Sequence, residues 1–320
     1  MNGVPDKTLP KVVAVVLNWN GLDDTVRCVE SLAAIDYSEL GVIVVDNGSR
    51  VFERGRVTKA FAQAVIIEND KNLGYCGGNN VAIDAALEAG ADWIWILNND
   101  VVVEEGALGA MLDCVDHSPR VAAVGGKVFY ADRPGVLWMT WGRITWLQSL
   151  IDIVGQDCVD GPAYDGKRAV AWLPGCSLMM RADALREIGG FDDNFFAYHE
   201  DVDWAARARR HGWELWYTSA ARVDHRVHSS SGGESDYGGF RKYLSARNSI
   251  LYARRHGNAF QIILMGVSIL VTLPFQYGRR MLTGEASGVT MKVRGWLDAL
   301  AGRPIPLEFL GLREKTRITP

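Results

Sequence analysis

The chain has 320 residues, 48% of them hydrophobic and 22% charged, with a formal net charge of -4. That is enough material for one large core, or for one domain with an appendage. The charge is unevenly spread: from residue 241 onward 13 Lys/Arg face 4 Asp/Glu, leaving 21 against 34 before it. An acidic body has the wrong sign for a nucleic-acid domain, so no nucleic-acid partner is expected. A basic tail suits an anionic surface such as a membrane. Five scattered cysteines (Cys28, Cys76, Cys114, Cys158, Cys176) without a CxxC pair exclude a disulfide framework and a zinc ribbon, and fit a reducing cytosol. Met1 to Lys11 is polar and lacks the apolar core of a signal peptide.

Lys11 to Asn18 is a Val-rich run that predicts a buried parallel strand, ending in the polar loop Asn18-Trp19-Asn20-Gly21. Asp24 to Ala34 follows with helical spacing. Gly41 to Val45 and Ala64 to Glu68 read as the second and third strands, the second ending in Asp46-Asn47-Gly48-Ser49. Gly77 to Ala89 reads as a helix, and Asp92 to Leu97 as a fourth strand ending in Asn98-Asn99-Asp100. Strands alternating with helices at this pitch predict a doubly wound α/β sheet. In such sheets ligands bind outside the C-terminal strand ends, where Asn18, Asp46, Asn72 and Asp100 would gather.

Val121 to Gly126 predicts another strand. A looser stretch, Tyr130 to Asp165, carries Trp138, Trp141 and Trp146, readable as a stacking wall for a sugar or as a satellite core. Ala182 to Gly190 is a short helix. Strand character returns at Glu214–Tyr217 and Ala221–Val227, and Phe240 to His256 is helical and basic. Residues 257–278 carry no charge but include Pro274, Gln261, Ser268 and Thr272, and Arg pairs flank them. About 20 apolar residues are needed to span a bilayer. Three readings of this segment stand: a helix in the membrane interface, a true span, and a packed helix or homo-oligomer contact.

His199-Glu200-Asp201-Val202-Asp203-Trp204 places three carboxylates at a helix start behind Phe195-Phe196-Ala197-Tyr198. Crowded carboxylates against aromatics acquire raised pKa values and suit one of them to take a proton. The plainer reading is a helix start whose acids complement the macrodipole, with Asp203 paired to Arg207 at i,i+4. Asp100 is able to ligate a hard cation that already holds a diphosphate, or simply to end a strand in a turn. Asp46 is placed to accept from a base or ribose. The loop Asn72-Leu73-Gly74 through Gly77-Gly78-Asn79-Asn80 brings N–H groups and Asn amides toward a phosphate or sugar, without the spacing of a dinucleotide fingerprint or a P-loop. His225 and His228 offer imidazoles for a metal beside one carboxylate.

In order and spacing, Val16-Leu17-Asn18-Trp19-Asn20-Gly21, Val45-Asp46-Asn47-Gly48-Ser49, Asn72-Leu73-Gly74 with Gly78-Asn79, Leu97-Asn98-Asn99-Asp100 and Phe196 through Asp203 with Arg207 and Gly212 resemble family-2 glycosyltransferases. The bacterial rhamnosyltransferase-like branch is the nearest likeness, sharing Trp141-Gly142, Gly189-Gly190-Phe191-Asp192 and Tyr243-Leu244-Ser245-Ala246-Arg247-Asn248. The resemblance covers roughly residues 11–255. It implies a GT-A fold, Rossmann-like and mostly parallel with helices on both faces, plus a C-terminal helical appendage. It divides the chain into a catalytic domain, 1–240, with a nucleotide-sugar half at about 11–126 and an acceptor half at about 127–240. The remainder, 241–320, is the basic and apolar appendage, with membrane-surface contact expected through 241–280.

The resemblance also implies inverting, metal-assisted transfer from a nucleotide sugar, dTDP-rhamnose by branch, to a polysaccharide or lipid-linked glycan at the inner face of the plasma membrane. Asp201 matches the general base. Asp100 and His225 match the ligands of Mn or Mg, with Asn98 standing where the family has its first acid and His228 a neighbour without that role. Asn18, Asp46, Asn72, Gly74, Asn79, Asn98 and Asn99 fall on the donor side. Two rivals remain: a sugar-nucleotide pyrophosphorylase, which would want a basic Gly-rich loop where Asn18-Trp19-Asn20-Gly21 stands, and a non-catalytic nucleotide-sugar-binding protein.

Overall fold

A computed structural model describes residues 9–226, 234–282 and 286–306. His228 and residues 1–8 of the polar N-terminal stretch lie outside the described residues. The first half of the chain runs β1 (Val12–Asn18), α1 (Leu22–Ala33), β2 (Leu40–Asp46), α2 (Arg54–Ala60), β3 (Val65–Glu68), α3 (Gly74–Glu88), β4 (Trp93–Asn98), β5 (Val101–Val103), α4 (Ala107–Val115) and β6 (Val121–Tyr130). Then come β7 (Leu137–Met139), β8 (Gly142–Ile144), β9 (Ile151–Ile153), β10 (Lys167–Val170), β11 (Ser177–Arg181), α5 (Ala182–Ile188), α6 (Glu200–Arg210) and β12 (Glu214–His225). Among the described residues three helices follow: α7 (Glu234–His256), α8 (Ala259–Leu282) and α9 (Ala286–Leu300).

The main sheet has the order β10-β12-β6-β11-β4-β1-β2-β3, with β5 paired to β12 and β7 to β6. From β1 the chain steps outward to β2 and β3 and then returns to β4 on the other side of β1. That reversal is the switch point at which an α/β sheet opens a crevice. The pairs β1–β2, β1–β4, β2–β3 and β6–β12 are parallel, whereas β11 runs antiparallel to both β4 and β6. The sheet is therefore mixed: β12, β6, β4, β1, β2 and β3 run one way, and β11 runs against them. An apolar run such as Ser177-Leu178-Met179-Met180 carries no sign of its direction, because both faces of the strand are buried either way.

Both faces of the sheet are covered. Val12, Ala14 and Val16 point into one apolar cluster, shared with α1 and α4, while Val13 and Val15 point into the other, shared with α3, α5 and α6. Burial on both sides explains why β1 is an unbroken apolar run rather than an alternating one. The expected strand Glu214–Tyr217 and the part of Ala221–Val227 up to His225 form one strand, β12, whose ladder to β6 is irregular between Tyr217 and Arg222; Val227 lies outside the described residues. Helix α3 starts three residues earlier than its spacing predicts. The looser stretch contains an antiparallel hairpin, β8–β9. Trp141 packs on Tyr217 and Trp146 on Tyr252, with ring centroids 4.7 and 5.6 Å apart, so these two act as core rather than as an open wall.

Candidate active site

The strand ends gather as the sheet order requires. Asn18 pairs in register with Asp46 across β1 and β2. Its Nδ2 donates to Asp46 Oδ1 at 2.7 Å and to Ser49 Oγ at 3.1 Å, and its Oδ1 accepts from Thr25 Oγ1 at 2.8 Å. Ser49 N–H donates to the other oxygen of Asp46 at 3.1 Å. Asn99 reaches the same knot, its Nδ2 donating to Gly21 O and Thr25 Oγ1. Asn47 Nδ2 donates to Asn72 Oδ1 and Gly74 O, each at 3.0 Å, while its Oδ1 accepts from Asn69 and from Leu73 N–H. Asn18, Asp46, Asn47 and Asn99 are all buried, and buried polar groups persist only when bonded in this way.

Two glycines let the loop close over this knot. A Cβ on Gly78 would lie 2.6 Å from Leu17 and 3.0 Å from the Asn47 amide. Gly74 has φ of +79° and would put a Cβ 2.5 Å from Phe196. Asn79 is fully buried; its Nδ2 donates to Tyr75 O, and its Oδ1 has no protein partner.

Asp100 and His225 meet from distant parts of the chain. Asp100 follows β4, and His225 ends β12, which pairs there with β5. His225 Nε2 lies 2.8 Å from Asp100 Oδ1, with both residues 4% exposed. Trp138 packs edge-on against the His225 ring, 4.2 Å between centroids, so of the three loop tryptophans this one borders the site. In the same strand-end segment the buried Oδ1 of Asn98 has no partner. A carboxylate oxygen beside an imidazole nitrogen is a donor pair of the kind that Mn or Mg accepts when a diphosphate supplies the remaining ligands. Among the described residues, no group of three or more His, Cys, Asp or Glu stands together as a metal cage.

The acidic helix start is built differently. Phe196, Tyr198 and His199 hold φ values of 60°, 70° and 66°, a left-handed conformation that is costly outside glycine. The five carbonyls from Asn194 to Tyr198 are all engaged. Arg247 takes Asn194 O, Asn248 Nδ2 takes Phe195, Ala197 and Tyr198 O at 2.7–2.9 Å, and Cys76 N–H takes Phe196 O. The fully buried Asn248 sits inside α7, where asparagine is a poor helix former, and this local mismatch was the available signal of its role.

The three acids then diverge. Asp203 is sealed off, its carboxylate accepting from Arg207 Nε and paired with His256 Nε2, each at 2.8 Å. Burial opposes its charge, yet the bonds from His256 and Arg207 outweigh that and hold its carboxyl below the ordinary value. Asp203 thus makes the i,i+4 pair of the plainer reading. Glu200 is 6% exposed with Oε2 unpartnered, and burial followed by the charge of Asp201 pushes it well above the carboxylate range. Asp201 is partly exposed. Burial raises it to about 6, against the pull of N–H donors from Gly175 and Val202, each at 2.8 Å. Neighbouring helix positions diverge by about 100°, so Glu200 turns inward as Asp201 turns out.

A short chain of contacts joins the two distant aspartates. Gly175 N–H donates to Asp201, and the next residue, Cys176, accepts from Asn98 N–H at 3.0 Å, two residues before Asp100. Burial pushes the Cys176 thiol well up, and the charges of Asp100 and Asp201 both add to that. Tyr75, which the sequence reading passed over, donates its hydroxyl to Gly175 O at 2.9 Å and braces this link.

Comparison with known proteins agrees with this geometry. The model of a family described as "Glycosyltransferase like family 2" matches residues 10–245. The chain is 29% identical over 230 residues to N-acetylglucosaminyl-diphospho-decaprenol L-rhamnosyltransferase of Mycobacterium tuberculosis, covering 64% of this chain and 72% of that one. It is 26% identical over 213 residues to galactofuranosyltransferase GlfT1 of Mycolicibacterium smegmatis, covering 63% and 66%. Among solved structures, a mannosyltransferase from Pyrobaculum calidifontis in complex with GDP-Man and Mn2+ superposes with a TM-score of 0.58 at 13% identity, over 92% of this chain and 88% of that one. A family match spanning most of the chain, on a GT-A sheet whose switch-point crevice holds the expected strand-end groups, means that this protein belongs to the family-2 glycosyltransferases.

Proposed function

We propose that the protein is an inverting glycosyltransferase that moves rhamnose from dTDP-rhamnose onto a lipid-linked glycan at the cytoplasmic face of the plasma membrane, with Asp201 as general base. The observation that carries this reading is the convergence of two unlike carboxylates on Gly175-Cys176: Asp201, partly exposed and raised to about 6, and Asp100, buried against His225. A general base works best with a pKa near the operating pH, and a buried carboxylate–imidazole pair is the complementary part for a leaving diphosphate.

Residues of about 11–126 form the donor half in this reading. Asp46, held by Asn18 and Ser49, accepts from the base or ribose, and Asn99 keeps that knot rigid through Thr25. Asn72, Gly74 and Asn79 line the sugar and phosphate approach. Asp100 and His225 would hold a divalent cation, which when bound stabilises the negative charge of the departing nucleoside diphosphate. Asp201 takes the proton of the acceptor hydroxyl as that oxygen attacks the anomeric carbon opposite the leaving group. One displacement without a covalent enzyme intermediate inverts the configuration. Residues 127–240 form the acceptor half, and 241–320 the appendage that brings the chain to the membrane.

The likeness to GlfT1 favours a second donor, UDP-galactofuranose, on the same site. A thermal-shift screen of dTDP-rhamnose, UDP-galactofuranose and UDP-hexoses, with and without Mn2+, separates the donors. The expected result is a Mn2+-dependent rise in melting temperature with dTDP-rhamnose alone. A rise with another nucleotide sugar moves the donor assignment, and no rise with any of them removes the transferase reading. Slow hydrolysis of the stabilising donor distinguishes an enzyme from a non-catalytic binding protein.

A further inference from the structure

Helix α8 is 24 residues long, about 36 Å, with mean hydropathy 1.8 over its most apolar 18 residues, of which only 6% is buried. Its uncovered residues are not scattered. Phe260, Ile263, Val267, Leu270, Val271 and Phe275 are 51–75% exposed, and at 100° per residue they fall on one continuous face. An apolar stripe of this length is far more than isolated surface residues explain.

The opposite face is fastened to the catalytic body. Met265 is buried and Ile269 packs on the core. Ser268, Thr272 and Gln276, spaced at i, i+4 and i+8, all meet one side chain or its backbone: Gln148, in the turn between β8 and β9. Gln148 N–H donates to Ser268 Oγ at 3.1 Å, Thr272 Oγ1 donates to Gln148 Oε1 at 2.9 Å, and Gln148 Nε2 donates to Gln276 Oε1 at 3.1 Å. Ser268, Thr272 and Gln276 are therefore the teeth of a clasp, whereas Gln261 bonds Asn258 at the helix start. A helix clasped along its middle and C-terminal half cannot cross a bilayer without dragging Gln148 and the hairpin into hydrocarbon, where their polar groups would be costly.

Charge settles which kind of apolar surface the free face meets. Arg279 and Arg280 lie in the last turn of α8, and Arg280 is close enough to act on Lys242 of α7 and Lys292 of α9. Burial lowers both lysines, and the charge of Arg280 lowers each further, as does that of Arg241 on Lys242 and that of Lys242 on Lys292. Cations crowded closely enough to disfavour one another are relieved by an anionic surface, and not by a second copy bearing the same cluster.

We propose that α8 lies in the plane of an anionic lipid bilayer, with its Phe260–Phe275 face immersed, its basic end at the phosphates and its Gln148 face holding the catalytic body against the surface. This rests on the reading that the acceptor is lipid-linked. The β8–β9 hairpin that carries Gln148 joins the membrane helix to the acceptor half, so a lipid-borne acceptor would arrive from the side of the crevice.

Flotation of the full chain with vesicles tests this. Binding to equimolar phosphatidylcholine and phosphatidylglycerol should exceed binding to phosphatidylcholine alone by at least about tenfold and should fall with salt. Leu270→Asp with Phe275→Asp should lose at least about tenfold, with the melting temperature kept. A fluorophore on Leu270→Cys, in a Cys158→Ser background, should be quenched more by lipids labelled near the glycerol than by those labelled at the chain end. Stronger deep quenching means a span and overturns the in-plane seat. Flotation undiminished by the double substitution overturns it too, as does a lipid-free dimer that the same substitution dissociates in a protein that never floats. The Mn2+-dependent donor shift, measured on the same samples, keeps the questions apart: its absence with flotation intact sinks the donor reading alone, and its presence without flotation sinks the membrane seat alone.

Discussion

The two sides of the crevice solve the same problem, holding polar groups still, by opposite means. On the donor side, short side chains at the ends of β1, β2 and β4 bond mainly to one another: Asn18 to Asp46, Thr25 to Asn18, Asn99 to Thr25 and Asn47 to Asn72. On the acid side, the loop before α6 is held largely from outside. Three of its non-glycine residues sit at positive φ, and side chains some fifty positions downstream clamp its carbonyls. A self-bonded strand edge gives rigidity at little cost. A loop forced into place stores strain and leaves Glu200 and Asp201 in surroundings that oppose their charge, which is how a base with a near-neutral pKa is made.

Breaking the donor side should cost metal-dependent donor binding together with activity. Asp100→Ala is expected to lower transfer about a hundredfold or more and to abolish the Mn2+ dependence of donor binding, measured by calorimetry, with little change in melting temperature. Unchanged metal dependence would mean that the Asp100–His225 pair is structural.

Breaking the acid side should cost stability first. Asn248→Ala leaves the carbonyls of Ala197 and Tyr198 without their side-chain donor, while Phe195 O keeps the N–H of Ala197. A loss of about 2–3 kcal/mol is expected in chemical unfolding, together with reduced turnover and near-normal donor binding. Equal loss of donor binding would show that the two sides are not separable.

A milder probe is pH. As the working base Asp201 must be ionised, so turnover with saturating donor should rise with pH through about 6 and level off above it. A profile flat across that window would remove Asp201 from the proton transfer.

The smallest effect sharpens the contrast within the acid pair. Unfolded, Glu200 ionises near 4.5, whereas folded it keeps its proton well above that, so the native state binds more protons and loses stability as pH rises past 4.5. Glu200→Gln removes that penalty. It should raise the melting temperature by a few degrees at about pH 8 and leave it unchanged at about pH 4. A lowered melting temperature at both would show that Glu200 is held ionised by a partner.

The same contrast decides what could be read from the chain. Asn18, Asp46 and Asn98-Asn99-Asp100 each follow a Val- or Ile-rich run, so the rule that crevices open at strand ends was enough to collect them. The Asp100–His225 contact spans 125 positions, and only the family likeness joined those two residues. Tyr75, Gly175 and Asn248 were not assigned roles, because each of their contacts has a backbone group on one side, which has no residue type to search for. The short helices α2 and α4 and the hairpin β8–β9 are held mainly by tertiary packing and leave little periodic trace. In α8, two of the polar residues that interrupt the apolar segment, Ser268 and Thr272, make contacts with Gln148, which no hydropathy pattern contains, while Gln261 bonds Asn258.

The most direct test is transfer by Asp201→Asn alongside its affinity for the nucleotide sugar with Mn2+. The account requires a drop in turnover of about a thousandfold with donor affinity within a few-fold of the parent protein. Turnover near that of the parent would contradict it, because the proton of the acceptor would then be leaving by another route.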